Sequence, residues 1–438
     1  MTERTAIHEF RLGYLVPEFP GNTHSFFWRE LDVLRQLHVS ADVVSTRSPE
    51  NQLAAQEWAA TAQGVTTYLA ECSIGAFRTT ISGFRRRRPG AFSALILTVR
   101  GAAQREATSG SLATRFRVCA RQLGWVVLGA RLAGLARLNR WQHVHVHSCG
   151  NSAYIAMYAH LLTGLPYSLT LHGPLSDYGH NQNLKWSMAA FGVVITEGLK
   201  RDVESALGTD LPCEVEVSPM GVDVQEFTRH DSYLPWPGHG PLRVFSCGRL
   251  NPSKGHDVLL LAVQEMVENG TDVQLVIAGE DELGGQGYRR ELERMIVVLG
   301  LESRVRLLGA APAASVRSEL VRAHLFALAS HAEPLGVAIM EAMSMGVPVV
   351  VTDSGGVPEL VDDRISGILV RPGRPDLLAA SMLRAVSQPD LCRKLGAAGR
   401  RRVESSFSHQ GSAKTLARLA RAAAARSFTT PERVADLP

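Results

Sequence analysis

No stretch of about 18 apolar residues runs anywhere in this 438-residue chain, so a membrane-crossing helix is not expected. The opening Met-Thr-Glu-Arg-Thr-Ala-Ile-His-Glu-Phe has no apolar run behind its charges, and a secretion signal is not expected either. The six cysteines (Cys72, Cys119, Cys149, Cys213, Cys247, Cys392) show no paired spacing and read as reduced thiols of a cytoplasmic protein. An Asp-x-Asp pair, the usual way to bring a divalent metal to a diphosphate, is absent. Aromatics make up 6% of the chain, and few of them lie among its basic residues, which argues against nucleic acid as a partner. No repeat at a solenoid period is visible.

What is present is the composition of a globular protein, 45% hydrophobic and 20% charged, with enough length for two domains of about 200 residues each. Strand-like apolar runs alternate with helical patterns twice over, which predicts two doubly wound α/β units with parallel sheets. In the first unit the strand runs are 12–16, 41–44, 144–146, 167–171, 193–195 and 214–217. In the second they are 242–246, 273–278, 305–308, 325–328, 347–351 and 367–370. The stretch 221–241, with its Leu-Pro-Trp-Pro-Gly-His-Gly-Pro, reads as a connection. The expected division is therefore a first domain over 1–225, a linker over 226–241, a second domain over 242–405 and a C-terminal helix and tail over 406–438, able to pack back on the first domain.

The net charge of +4 conceals an imbalance. Between Arg78 and Arg140 thirteen arginines face the single acid Glu106, leaving the rest of the chain acidic. Arg85 to Arg88 precede Ala91-Phe-Ser-Ala-Leu-Ile-Leu-Thr-Val, and Trp125-Val-Val-Leu-Gly-Ala-Arg-Leu follows, as in an amphipathic basic surface for anionic lipid. A pair of core-facing helices with solvated arginines has the same pattern.

The most telling segment is Glu333-Pro-Leu-Gly-Val-Ala-Ile-Met-Glu341, two carboxylates with seven residues between them. A carboxylate in the loop before a helix can take sugar hydroxyls, and one inside the helix can accept both hydroxyls of a ribose. Gly336 lets the backbone approach a ligand, and the free N–H groups of Leu335, Gly336 and Val337 at the helix start suit a diphosphate. Glu341 sits among Val337, Ala338, Ile339, Met340, Ala342 and Met343, where an unpaired carboxylate would be costly to bury. After the strand 242–246 comes Cys247-Gly-Arg-Leu-Asn-Pro-Ser-Lys-Gly-His256. Gly248 gives access there, Arg249 offers a fork for two phosphate oxygens, and Lys254 adds a mobile point charge.

Further motifs lie at strand ends, where ligands of open α/β sheets bind. The strand 167–171 ends in His172-Gly173, and His143-Val-His-Val-His147 places three imidazoles on one face of a strand. Zinc is conceivable for that triplet, yet no cysteine or carboxylate completes a set at ligand spacing, so a packed or acceptor-side role for His145 and His147 is favoured. Ser354-Gly-Gly-Val-Pro-Glu359 is a loop suited to close approach or tight turning, and 305–308 ends at Gly309.

With His172-Gly173, Gly221-Val-Asp223, Arg249 and Lys254, and Glu333 and Glu341 in this order, the chain resembles the family 4 retaining glycosyltransferases of GT-B fold over about residues 10 to 410. Many members carry a Gly-Gly loop after the first strand, whereas this chain has only Gly21. Its Phe19-Pro-Gly-Asn-Thr-His-Ser-Phe-Phe-Trp-Arg-Glu30-Leu and its His-Gly-Pro-Leu-Ser-Asp177 resemble the branch that builds exopolysaccharides such as colanic acid.

The resemblance implies two Rossmann-like domains facing across a cleft, the first on the acceptor side, near Gly21, and the second binding a nucleoside diphosphate sugar. It implies that Arg249 and Lys254 neutralise the leaving diphosphate, Glu333 orients the sugar, Glu341 holds ribose, main-chain groups at Leu308 pair with the base, and His172 meets the sugar from the first domain. No cofactor or metal is then required. The acceptor would be a glycan or lipid-linked hydroxyl, with the protein cytoplasmic or peripheral at the inner face of the cell membrane. Rival readings are a nucleotide-sugar epimerase of the same architecture and a degenerate scaffold of a polysaccharide assembly complex.

Overall fold

The computed structural model describes residues 9–21, 24–49, 56–71, 89–106, 112–212 and 214–429. The chain forms two compact units, one from Met1–Ala54, Trp58–Ser218 and the segment from Ser412 onward, the other from Ala55–Glu57 and Pro219–Gly411.

The first unit is built on seven parallel strands: β1 (Phe10–Glu18), β2 (Val39–Arg47), β3 (Thr67–Tyr68), β4 (His143–Val146), β5 (Tyr167–Leu171), β6 (Gly192–Val194) and β7 (Val215–Val217). Their order in the sheet is β3-β2-β1-β4-β5-β6-β7. The second holds six parallel strands: β8 (Leu242–Cys247), β9 (Val273–Ala278), β10 (Val305–Gly309), β11 (Leu325–Leu328), β12 (Val349–Thr352) and β13 (Ile368–Val370), in the order β10-β9-β8-β11-β12-β13. Both are doubly wound sheets of the expected class. Their strand order reverses between β1 and β4 and between β8 and β11, the places where loops diverge to opposite faces and leave a crevice.

Parallel strands covered on both faces are apolar throughout rather than alternating, and all four residues of β4, β11 and β12 are buried. The N-terminal helix Ser25–Gln36 buries Phe27, Leu31 and Leu34, spaced at helical period, but also Arg29 and Glu30. The C-terminal helix Gln410–Thr429 places Ala413, Leu416, Leu419, Ala420 and Ala423 in the first unit's core with Phe10, Leu12 and Phe27. Arg418 pairs there with Glu216.

Residues 226–241 belong to the second unit by their contacts. Phe227 is buried and its carbonyl accepts from Ser344 Oγ at 2.7 Å, while Tyr233 OH donates to the His324 carbonyl at 2.6 Å. A Pro- and Gly-rich composition signalled absence of regular structure, and aromatic anchors that fasten the strand of chain do not alter that signal.

The basic region folds as two helices, Pro89–Glu106 and Leu112–Leu138. Leu95, Ala102, Val118, Trp125, Ala130 and Ala133 are buried. Leu97, Phe116 and Leu123 are exposed by 68%, 75% and 57%, alongside exposed Arg100, Arg115 and Arg117. The run Arg85–Arg88 lies outside the described residues. Among the described residues no helix is long and apolar enough to cross a membrane.

Candidate active site

In the second unit the loops leaving β8 and β11 flank the point where strand order reverses, and each carries one member of a charge pair. Lys254 Nζ donates to Glu333 Oε2 at 2.6 Å, and Ser330 Oγ donates to the same oxygen at 3.0 Å. The Glu333 side chain is 8% exposed and that of Lys254 14%, so water weakens this contact little.

The loop after β12 fixes Glu333 from behind. Thr352 Oγ1 and Ser354 Oγ donate to the Ser330 carbonyl at 2.6 and 3.0 Å, and Gly356 N–H donates to the Glu333 carbonyl at 2.9 Å. A Cβ on Gly355, whose φ is +58°, would lie 2.2 Å from the Glu333 carbonyl oxygen. The Ser354-Gly-Gly motif therefore packs the loop tightly against Glu333. The His331 N–H donates to the Ser253 carbonyl at 2.8 Å and ties the two site loops directly.

Gly336, with φ of +101°, turns the chain into the helix Val337–Ser344 and supplies no side chain to cap its N–H groups. Leu335 and Gly336 are buried, and Val337 is half-buried. Half-buried Glu341 lies within electrostatic reach of Cys247 at the end of β8. Burial pushes the Cys247 thiol up, the Glu341 carboxylate adds to this and Lys254 opposes it. Glu333, Lys254 and Glu341 thus share one end of one sheet, with Gly248 beside the Lys254 stem.

Arg249 stands on the same loop, with its guanidinium toward Glu282 at 3.3 Å in an exposed pair. Its carbonyl faces His256 Nε2 at 3.3 Å, and burial pushes that imidazole down to about 4. At β10 the pairing register with β9 breaks between Leu307 and Gly309, which frees the main chain at Leu308 from the regular ladder.

Sequence reasoning missed the neighbouring loop after β9. Asp281 accepts four backbone N–H groups, from Leu283, Gly285, Gly287 and Arg289, which hold its carboxyl below the ordinary value despite the opposing effect of burial. Arg289 pairs with Glu280 at 2.7 Å and reaches the Leu307 carbonyl at 3.4 Å. The signal was Gly279-Glu-Asp-Glu-Leu-Gly-Gly-Gln-Gly287, acidic and glycine-rich directly after a strand.

In the first unit His172 follows β5 and is joined to His147, His147 Nδ1 and His172 Nε2 being 3.2 Å apart. The strand triplet does share one face, since His143 Nε2 and His145 Nδ1 both lie 2.7 Å from Ser168 Oγ. Burial pushes His143 down to about 3 and His145 well below its usual value. The other nitrogen of His145 meets Thr170 Oγ1 at 2.8 Å, so this ring is occupied on both sides by hydroxyls. Gly21 packs on His24, whose N–H donates to the Gly21 carbonyl. Glu30, not singled out from the sequence, is 5% exposed, accepts from Tyr14 OH and lies 3.0 Å from His147 Nε2. Among the described residues no group of three or more His, Cys, Asp or Glu could hold a metal ion.

Residues 237–402 match the sequence profile of the glycosyl transferases group 1 family. The chain is 32% identical over 195 residues to a D-inositol 3-phosphate glycosyltransferase of Segniliparus rotundus, covering 43% of this chain and 42% of that one. It is 34% identical over 217 residues to a putative colanic acid biosynthesis glycosyltransferase, WcaL, of Escherichia coli, covering 48% and 51%. The match spans about half the length of these relatives. In fold it resembles the Anabaena protein HepE, solved in complex with UDP-glucose, with a TM-score of 0.62 at 17% identity over 96% of this chain and 100% of that one. The charge pair at the β8/β11 crevice, the Gly336 turn and Glu341 all fall inside the segment that matches the group 1 glycosyl transferases, and the two doubly wound sheets give the chain the GT-B fold.

Proposed function

We propose that the protein is a retaining, metal-independent hexosyl- or pentosyltransferase that moves a sugar from a nucleoside diphosphate sugar to a hydroxyl of a glycan or lipid-linked acceptor, in synthesis of exopolysaccharide or another cell-surface glycan. The observation that carries this reading is the Lys254–Glu333 pair beside the Gly336 helix start, within the segment that matches the family. The likeness to a colanic acid enzyme supports the exopolysaccharide assignment, and the fold shared with a UDP-glucose complex supports the donor class.

In this reading the diphosphate accepts hydrogen bonds from Lys254, Arg249 and the N–H groups around Gly336, while Glu341 takes the ribose hydroxyls and the main chain at Leu308 meets the base. The acceptor oxygen attacks the anomeric carbon from the face the diphosphate is leaving. As the glycosidic C–O bond breaks, the acceptor proton passes to the departing phosphate oxygen, and anomeric configuration is kept. Fixed positive groups stabilise charge that grows on the leaving oxygen, an effect worth roughly 3–4 kcal/mol for a single well-placed donor. Glu333 orients the sugar hydroxyls, and His172 positions the sugar from the first unit. No cofactor beyond the donor enters. Peripheral contact with anionic lipid through the helices Pro89–Glu106 and Leu112–Leu138 would bring a lipid-linked acceptor within reach.

The test is incubation with a panel of nucleoside diphosphate sugars and glycan acceptors, followed by NMR of the product. Transfer with retained anomeric configuration is expected. An inverted product would overturn the mechanism, and isomerised donor without transfer would favour an epimerase.

A further inference from the structure

Glu30 occupies a core position on the helix Ser25–Gln36. Its Oε2 accepts from Tyr14 OH at 2.7 Å and lies 3.0 Å from His147 Nε2. Burial raises the carboxyl, yet the charge of His147 together with hydrogen bonds from His147, Tyr14 and Ser412 carries it below its ordinary value. It is therefore ionised near neutral pH and can only accept. His147 must then carry a proton on Nε2.

The consequence passes to the next ring. The atom facing His147 Nδ1 at 3.2 Å is His172 Nε2, so one proton lies between the two rings. Two lone pairs cannot face each other there, and Nε2 is the nitrogen of the His172 ring that has a partner for its proton. Its Nδ1 is buried with no hydrogen-bond partner, which disfavours a proton on that atom and disfavours the doubly protonated ring. Burial, reinforced by His147 and His24, pushes His172 well below its usual value. The groups around this chain are Tyr14 on β1, His24 before the helix, His145 on β4, Ser412 on the C-terminal helix, and Tyr178, whose hydroxyl bonds the His172 backbone. Phe26 and Phe27 close on the His172 ring at centroid distances of 5.5 and 5.7 Å.

We propose that Glu30 is a positioning residue that acts through His147 to hold His172 as a neutral ring protonated on Nε2 and in one orientation at the carboxyl end of β5. The value of this for turnover rests on the reading of His172 as a sugar-positioning group, whereas the tautomer itself belongs to the unliganded protein.

The experiment uses the full chain with nitrogen-15-labelled histidine. In the wild type the His172 signals, assigned by their loss in His172→Asn, should be those of a neutral ring with the proton on Nε2. Glu30→Leu removes the acceptor that fixes His147, so the His172 signals should move toward a mixture of tautomers, and kcat should fall about tenfold or more while nucleoside diphosphate affinity stays within about twofold. Glu30→Gln keeps an oxygen acceptor and should keep the Nε2 tautomer. If Glu30→Leu does not fold, the double variant Glu30→Leu with Tyr14→Phe removes the same acceptor without stranding the Tyr14 hydroxyl. Unchanged His172 signals in the folded variant would overturn the tautomer assignment whether or not any sugar is transferred. Moved signals with unchanged kcat would overturn the role in turnover.

Discussion

Lys254 Nζ and Glu333 Oε2 meet at 2.6 Å although they stand on loops from different strands and are separated by 79 positions in the chain. The pair is nearly enclosed, so removing one partner leaves the other a poorly solvated charge. Lys254→Met should therefore lower stability by about 3 kcal/mol and weaken nucleoside diphosphate binding roughly tenfold or more. Glu333→Gln should retain most of the stability and diphosphate affinity, because the amide oxygen still accepts from Lys254 and Ser330, and should lower kcat strongly. Calorimetry with a nucleoside diphosphate and turnover assays separate the two. Loss of diphosphate binding in Glu333→Gln with turnover intact would reverse the assignment.

Glu341 is predicted to show the complementary behaviour. Truncation in Glu341→Ala would remove the proposed two-hydroxyl contact to ribose, an effect of about 1.5–3 kcal/mol on donor binding, with kcat little changed. The donor KM should rise by roughly ten- to a hundredfold. An unchanged KM would make Glu341 a structural residue of its helix.

Activity should persist in EDTA if, as proposed, Arg249, Lys254 and the helix start at Gly336 supply positive charge at the diphosphate. Full loss restored by magnesium or manganese would contradict that arrangement.

The reach of sequence reasoning differs between these elements for physical reasons. Strands such as Leu325–Leu328 and Val349–Thr352 are buried on both faces and so appear as uninterrupted apolar runs. The two residues of β3, Thr67–Tyr68, are too few to show a period. Glu333, Glu341, Arg249 and Lys254 were legible because their chemistry and spacing coincide. The proximity of Lys254 to Glu333 was not, because it depends on which strands become neighbours at the β8/β11 reversal. Glu30 falls in phase with Phe27, Leu31 and Leu34, so a carboxylate at an apolar position was the available clue to the buried histidine network. The register break at Leu308 leaves no mark in the sequence at all, since Val-Arg-Leu-Leu-Gly reads as an ordinary strand.

Stability should fall on acidification through the buried histidines. Burial lowers His143 from 6.5 to about 3 and His256 from 6.5 to about 4. Because the folded values lie below the unfolded one, the unfolded chain binds more protons between them, and the stabilising contribution is full above pH 6.5 and lost as pH falls through 4 to 3. The lowered Glu30 carboxyl acts in the same direction at lower pH. Urea unfolding at a series of pH values should show this decline, and His143→Gln should flatten it. A slope in the variant equal to that of the wild type would show that His143 does not contribute.

Exposed Phe116 and Leu123 stand seven positions apart, two helical turns, and therefore on one face of Leu112–Leu138, with Arg115 and Arg117 exposed nearby. Each such side chain inserted into a bilayer interface contributes roughly 1.5–3 kcal/mol, and each arginine near an anionic surface about 1 kcal/mol. Phe116→Ser with Leu123→Ser should reduce binding to phosphatidylserine-containing vesicles by at least about a hundredfold, and wild-type binding should weaken as salt is added. Transfer to a soluble acceptor analogue should be unaffected, because neither residue lies among those assigned to the donor or the acceptor. Replacement of Arg85 to Arg88 by Gln should act in the same direction through charge alone. Equal vesicle binding by the wild type and both variants would leave these helices a solvated cover on the first unit's core.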